Sequence, residues 1–261
     1  MSTTAFIRRA VGPLVLLVGL TRVAPLAAQT LETETLRLPA RFGLNVGSNF
    51  EYQTSTDGRE TAMPFIVEFG LTRSTELVVE PVPYTAIRPR TGRRATGAGD
   101  LEITVIQQLI AETPSRPAFG LAGEVKVPTA HDPLIGTGKT DFAAYLIGSK
   151  RFGRLDGHLN VGYTVVGRPV GVTLNNIANF AAGFVYDVSE RTKLFGEVLG
   201  NTAASVGAPE GSATPEVAGG ELVGTVGIGR KIADRFFLTT GLSYDNNGAL
   251  LLRPGFMVRI R

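Results

Sequence analysis

The feature that most constrains this chain is a strict alternation of apolar and polar side chains, sustained over segments of about ten residues and more. From Phe42 to Gln53 the even positions are Phe42, Leu44, Val46, Ser48, Phe50 and Tyr52; the odd ones are Gly43, Asn45, Gly47, Asn49, Glu51 and Gln53. Successive side chains of a strand point to opposite faces, so this pattern describes a strand with one apolar and one polar face. The pattern recurs at 65–71, 101–109, 158–165 and 179–187, and no segment beyond the first 30 residues shows a comparable helical period. Turn residues divide the chain into about twelve such segments, with cores at 42–54, 60–71, 75–85, 99–112, 117–127, 140–152, 155–166, 174–187, 191–201, 217–230, 234–244 and 250–260. They exceed the roughly 5 to 6 residues typical of soluble strands and match what a tilted strand needs to cross a bilayer.

The connections alternate in length. Those at Thr72 to Thr75, Glu112 to Arg116, Phe152 to Leu155, Ser189 to Arg191 and Ile232 to Arg235 are tight. Between them fall longer or glycine-rich ones at Ile87 to Ala98, Thr129 to Lys139, Gly167 to Val172 and Thr202 to Glu216, with two shorter turns at Asp57-Gly58 and Asn246-Asn247-Gly248. Short turns at one end and long loops at the other are the asymmetry of outer-membrane barrels, whose short turns face the periplasm. An even strand number also lets the last strand pair with the first, leaving no unpaired edge in lipid. The expected fold is all-β: a transmembrane antiparallel up-and-down β-barrel of about twelve strands, of the outer-membrane type, in one domain over residues 30–261. A soluble sandwich or lipocalin-like barrel would need large core residues on one face and would give water a face rich in glycine.

The amino terminus agrees with export. Arg8 and Arg9 precede a nearly uninterrupted apolar run from Ala10 to Leu20, and small residues follow at Ala24, Ala27 and Ala28. This reads as a cleaved secretory signal peptide over residues 1–29, cut after Ala28 or Gln29, since the run is about half the roughly 20 residues a membrane helix needs. The full chain has 26 basic and 23 acidic residues; the leader takes three arginines and no acid with it, leaving the two signs balanced. No basic stripe with interleaved aromatics suggests nucleic acid. Cysteine is absent, so disulfides and thiolate chemistry are excluded.

At Gly97-Ala98-Gly99-Asp100-Leu101-Glu102 the chain resembles the outer-membrane family known as the MetA-pathway of phenol degradation, or phenol-degradation MetA-like proteins. Gly120 to Thr129 (GLAGEVKVPT), Gly138 to Lys150 (GKTDFAAYLIGSK) and Leu159 to Tyr163 (LNVGY) carry the same resemblance, which extends from about Arg37 to Arg261. It implies a barrel that carries hydrophobic or aromatic compounds, and it transfers no binding residue. Such barrels usually end in an aromatic residue, whereas this chain ends Phe256-Met257-Val258-Arg259-Ile260-Arg261.

Few residues suggest chemistry. Gly136-Thr137-Gly138-Lys139-Thr140 imitates the end of a phosphate-binding loop, but Pro133 stands where the first glycine belongs and a strand follows instead of a helix. His131 sits beside Asp132 in a long loop, and His158 opens a strand near the tight-turn rim; neither has an evident serine partner, so a lipid-modifying hydrolase is the weakest reading. No cofactor or metal site is read. Turning the polar faces inward places Glu51, Glu68, Glu80, Glu102 and Glu124 in the lumen with Lys126, Lys193, Arg253 and Arg259, a candidate solute pathway. Closure of the last strand on the first should bring Arg253 to Glu51 and Arg259 to Glu68. Such pairs also fill a narrow barrel that conducts nothing, because an unpaired charge inside is costly. Arg88, Arg90, Arg93 and Arg94 crowd one loop, where they suit lipopolysaccharide phosphates. The expected function is a passive pore or transporter for small, hydrophobic or aromatic solutes in the outer membrane, with lipid, lipopolysaccharide and the solute as partners. The alternative is a structural or adhesive barrel with a lumen plugged by salt bridges.

Overall fold

The computed structural model describes residues 31–202, 204 and 220–261. The signal peptide read at 1–29 lies outside the described residues, as does most of the loop expected at Thr202 to Glu216. The strands are β1 (Leu44–Asn49), β2 (Glu51–Thr54), β3 (Gly58–Ala62), β4 (Phe65–Gly70), β5 (Thr75–Pro81), β6 (Thr85–Pro89), β7 (Ala95–Gly97), β8 (Leu101–Ile110), β9 (Ala118–Val127), β10 (Asp141–Phe152), β11 (Leu155–Val165), β12 (Ile177–Asp187), β13 (Thr192–Asn201), β14 (Leu222–Ala233), β15 (Phe236–Asp245) and β16 (Leu250–Arg259). The first eight form four wall strands, each interrupted once, and the other eight are continuous, giving the twelve-strand antiparallel barrel. It closes where β1 meets β16, from Asn45 opposite Arg259 to Asn49 opposite Gly255.

The four interruptions, at Phe50, Met63-Pro64, Val82 to Tyr84 and Ala98 to Asp100, lie side by side. Asn49 N–H donates to the Pro64 carbonyl (3.2 Å), Met63 N–H to Tyr84 (2.9 Å) and Gly99 N–H to Val82 (2.8 Å). Pro64 and Pro83 supply no N–H to a ladder, which breaks the pairing at that height. Beyond the break the wall resumes through β2, β3, β6 and β7. The segment Ile87 to Ala98, expected as a loop, is therefore largely strand with its tip at 90–94. Its arginines hide a short alternation in which Thr85 and Ile87 turn inward while Ala86 and Arg88 do not.

Connections of unequal length define two ends. Residues 71–74, 111–117, 153–154, 188–191 and 234–235 make the turn end; 90–94, 128–140 and 166–176 belong to the loop end. The wall's outer face is apolar at alternate positions: Phe142 (58 % exposed), Leu146 (63 %) and Val226 (65 %) point out, whereas the neighbours Ala143 and Ile147 point in and are buried. Below the breaks the strands pair around a closed ring, which is what a hydrocarbon environment demands; above them β7 pairs with β6 alone. Leu146→Arg, near the middle of β10, is expected to cost about 2–4 kcal/mol of folding stability in lipid vesicles, and Ile232→Arg near the turn end about 0–1 kcal/mol. Denaturant titration of the two variants in the same vesicles measures the difference.

Candidate functional site

The lumen is packed at its turn end and open over its loop half. The packing comes from residues 31–41, which precede β1 and run inside the barrel. At the rim the chain reverses at Phe42, whose φ is 61°, with the Gly43 N–H bonded to the Ala40 carbonyl at 2.6 Å. A Cβ on Gly70 would stand 2.2 Å from the Ala40 oxygen, so only glycine admits this reversal.

A closed sheet has no free backbone edge to offer an inserted segment, so lumen side chains must satisfy its N–H groups. They do. Glu197 accepts from Glu32 N–H (3.2 Å), Thr33 N–H (3.0 Å) and the Thr33 hydroxyl (2.8 Å). Asn160 accepts from Glu34 N–H (2.7 Å) and returns a bond to the Glu34 carbonyl (2.9 Å). Ser149 Oγ accepts from Leu36 N–H (3.0 Å). Arg37 is gripped by Asp156 through Nε (2.8 Å) and Nη2 (2.6 Å), and by Glu112 at 2.7 Å. Leu36 packs with Val78, Ile106, Ala118, Ala122 and Ile147, and Leu31 with Val185 and Phe195. The wall is thinned to make room: a Cβ on Gly120 would stand 2.6 Å from Leu36 Cδ2, and one on Gly183 2.9 Å from Thr33 Oγ1. The sequence expectations begin at Phe42 and gave this segment no role. Its sign is Leu31-Glu32-Thr33-Glu34-Thr35-Leu36-Arg37-Leu38, a stretch with spaced leucines and no turn residue before Pro39.

Above the segment lies a cavity of about 590 Å³, with Leu31, Glu32, Glu34 and Thr35 as its floor. Twelve carboxyl side chains and two cations, Lys126 and Arg253, line it among the described residues. Of the expected lumen residues it gathers Glu51, Glu68, Glu80, Glu102, Glu124, Lys126 and Arg253. Arg253 lies 2.8 Å from Glu51 and 2.6 Å from Glu32 of the inserted segment. Lys126 pairs with Asp141 at 2.5 Å. Glu68 accepts from Asn45 at 2.7 Å and feels the charge of Arg259.

Two expected lumen residues are not brought to this cavity. Lys193 stands at the turn end of β13, where it pairs with Asp187, and Arg259 stands at the turn end of β16; both face inward but lie below the segment. The cavity wall is thus a ring dominated by acid. The sequence reading missed Glu60, Glu76 and Glu221, whose strand parity puts them inside, and Glu32 and Glu34, which arrive on the segment. Glu80 stands directly opposite Glu102 on the lumen face. On its other side Glu102 stands directly opposite Lys126 of β9, so the lumen row at this height runs acid, acid, base.

His131 is exposed in its loop and His158 lies near the turn end, as expected, but His158 is buried, and Ser149, its direct partner across the hairpin, lies 3.0 Å from its Nδ1. The tight turn at 153–154 fixes that register, so the pair was readable from hairpin arithmetic. It is not a nucleophile site. Asp156 is 3.9 Å from Nε2, beyond a hydrogen bond, and is committed to Arg37 and Arg151, while the Ser149 hydroxyl is buried and holds the segment.

At the loop end Arg88, Arg90, Arg93 and Arg94 are exposed, with Arg59 directly across from Arg88. Arg93 is engaged: it donates twice to Asp132, at 2.6 Å each. Those bonds, with one from Leu134 N–H, push the Asp132 carboxyl down to about 2. The loop 128–140 is thereby clamped beside β7.

The architecture has relatives among solved barrels. A KdgM porin in complex with disordered oligogalacturonate superposes with a TM-score of 0.55 at 10 % identity, over 83 % of this chain and 99 % of its own. A NanC porin gives 0.57 at 9 % identity, over 82 % and 100 %, and the translocator domain of autotransporter NalP from Neisseria meningitidis gives 0.51 at 13 %, over 84 % and 88 %. This chain is similar to them in fold. No family model and no curated relative matches the chain, so the phenol-degradation resemblance rests on the motifs quoted above.

Proposed function

We propose that the protein is a passive outer-membrane pore for small solutes, exported by its leader, with the turn end in the periplasm. The observation that carries this is the cavity: a closed barrel with an apolar outer face surrounds a polar space lined, among the described residues, by twelve carboxyl side chains and two cations. The similarity to porins supports the same reading. Ile87, Val78, Leu199 and Leu251 share the lining with the carboxyls. The solute this suits is a small cation on an apolar or aromatic body, which keeps part of the hydrophobic class that the sequence motifs imply. Arg59, Arg88, Arg90 and Arg94 lie where lipopolysaccharide phosphates would meet the barrel, with Arg93 tied to Asp132.

Reconstituted in planar bilayers across a potassium chloride gradient, the protein is expected to pass potassium over chloride by a ratio on the order of 10, because an acidic cleft concentrates its counter-ions. Replacing Glu80, Glu102 and Glu124 together by glutamine should bring the ratio towards 1. A second reading, a non-conducting structural or adhesive barrel, is favoured by the segment that closes the lumen. Absence of any current and of any solute entry in liposome swelling, in the parent protein and in the Asn160→Ala, Glu197→Ala double variant alike, would establish it in place of the pore.

A further inference from the structure

The geometry points to residues 31–38 as a built-in gate: a tethered plug that closes the pore from the turn end and opens it by leaving its seat. This deepens the pore reading and rests on it. Three observations carry it. The first is that the seat is made for the segment. Glu197, Asn160 and Ser149 present acceptors to four successive or near-successive N–H groups, and Gly120 and Gly183 are reduced to backbone where Leu36 and Thr33 pass. A segment merely trapped in the lumen would leave buried N–H groups unmet.

The second is that the segment is not part of the wall. It forms no strand, adds no rung to any ladder, and among the described residues joins the sheet only through Arg41 and Phe42. Leaving the seat therefore breaks the bonds to Glu197, Asn160 and Ser149, the Arg37 ion pairs and the packing of Leu31 and Leu36, but no strand-to-strand hydrogen bond, so the barrel stays whole. Unseating is thus a local opening, separate from unfolding of the wall.

The third is that the gate is exposed to the solute. Glu32 and Glu34 form the floor of the cavity, and Glu32 is half-exposed while bonded to Arg253. A cation arriving from the loop end meets Glu32 in competition with Arg253, so occupancy of the cavity and seating of the segment are coupled through that residue.

The test uses the full chain, which has no native cysteine. A Cβ built at Gly183 stands 3.2 Å from Thr33 Cβ, close to the spacing a disulfide needs. Thr33→Cys with Gly183→Cys, verified as cross-linked by mass spectrometry, is expected to be silent when oxidised and to gain at least about tenfold in current when reduced. Asn160→Ala with Glu197→Ala, which strips the seat without a cross-link, is expected to conduct more than the parent protein by a similar factor. Equal currents in the oxidised and reduced cross-linked variant would overturn the gate and leave the pore standing. Silence of the parent, the reduced variant and the stripped seat alike would overturn the pore itself.

Discussion

Asp156→Ala is expected to cost about 3 kcal/mol of folding stability, among the largest losses available to a single substitution in this protein. Asp156 is 1 % exposed and sits between two guanidinium groups: both its oxygens engage Arg37, and Oδ2 also lies 2.9 Å from Arg151. Its removal leaves two partly buried cations short of a partner, and an uncompensated buried charge is the expensive outcome. The cost falls at the lower end of the usual range because Arg37 keeps Glu112 at 2.7 Å and Arg151 keeps Asp187 at 2.9 Å. Asp156→Asn, which preserves shape and one acceptor, should lose less. Urea midpoints of both variants in micelles check the order, and a loss below about 1 kcal/mol for Asp156→Ala would mean that water screens the site as it does a surface pair.

Gly120→Leu should unseat the inserted segment without touching it. Leu36 Cδ2 at 2.6 Å and the Gln107 carbonyl oxygen at 2.7 Å leave no place for a larger side chain at residue 120. The clash with the Gln107 oxygen falls on the adjoining wall strand whether or not the segment is seated, whereas the clash with Leu36 is relieved when the segment leaves, and that part favours unseating. Overpacking of this kind costs about 1–3 kcal/mol, equivalent to about a 5- to 150-fold rise in the unseated population. The reporter is Thr33→Cys, a position 1 % exposed in the parent. Its labelling by a water-soluble maleimide should accelerate by that factor in the Gly120→Leu background, and an unchanged rate would show that the segment tolerates the leucine in place.

The wall was legible in the sequence because a membrane barrel writes the same two-residue rule into every strand, and lipid enforces it on one face. Leu159, Val161 and Tyr163 declare the outside of β11 as plainly as Asn160 declares its inside. The interior was legible only by parity. Glu51, Glu102 and Glu124 follow from counting along a strand, but whether Lys193 shares a cavity with them depends on height in the barrel, and alternation carries no information about height. The inserted segment was illegible for a different reason. Its partners Ser149, Asn160 and Glu197 come from three strands more than a hundred residues downstream, and its own backbone pairs with none of them. The row of breaks at Phe50, Pro64 and Val82 to Tyr84 shows the limit of local signals: the prolines were visible, but their alignment at one level appears only once the strands are in register.

The closing seam of the barrel has a consequence for how the molecule is made. The inserted segment runs directly into β1, and β1 is the strand on which β16, the last to be synthesised, must zip. The root of the segment therefore lies at the seam itself. Either β16 docks while the segment already occupies the unfinished cylinder, which then completes around it as around a mandrel, or the cylinder completes first and the segment threads in from the turn end. The first order gives Leu36 and Arg37 a part in assembly, because they would hold β5, β8, β9, β10 and β11 in a common curve before the ring is whole.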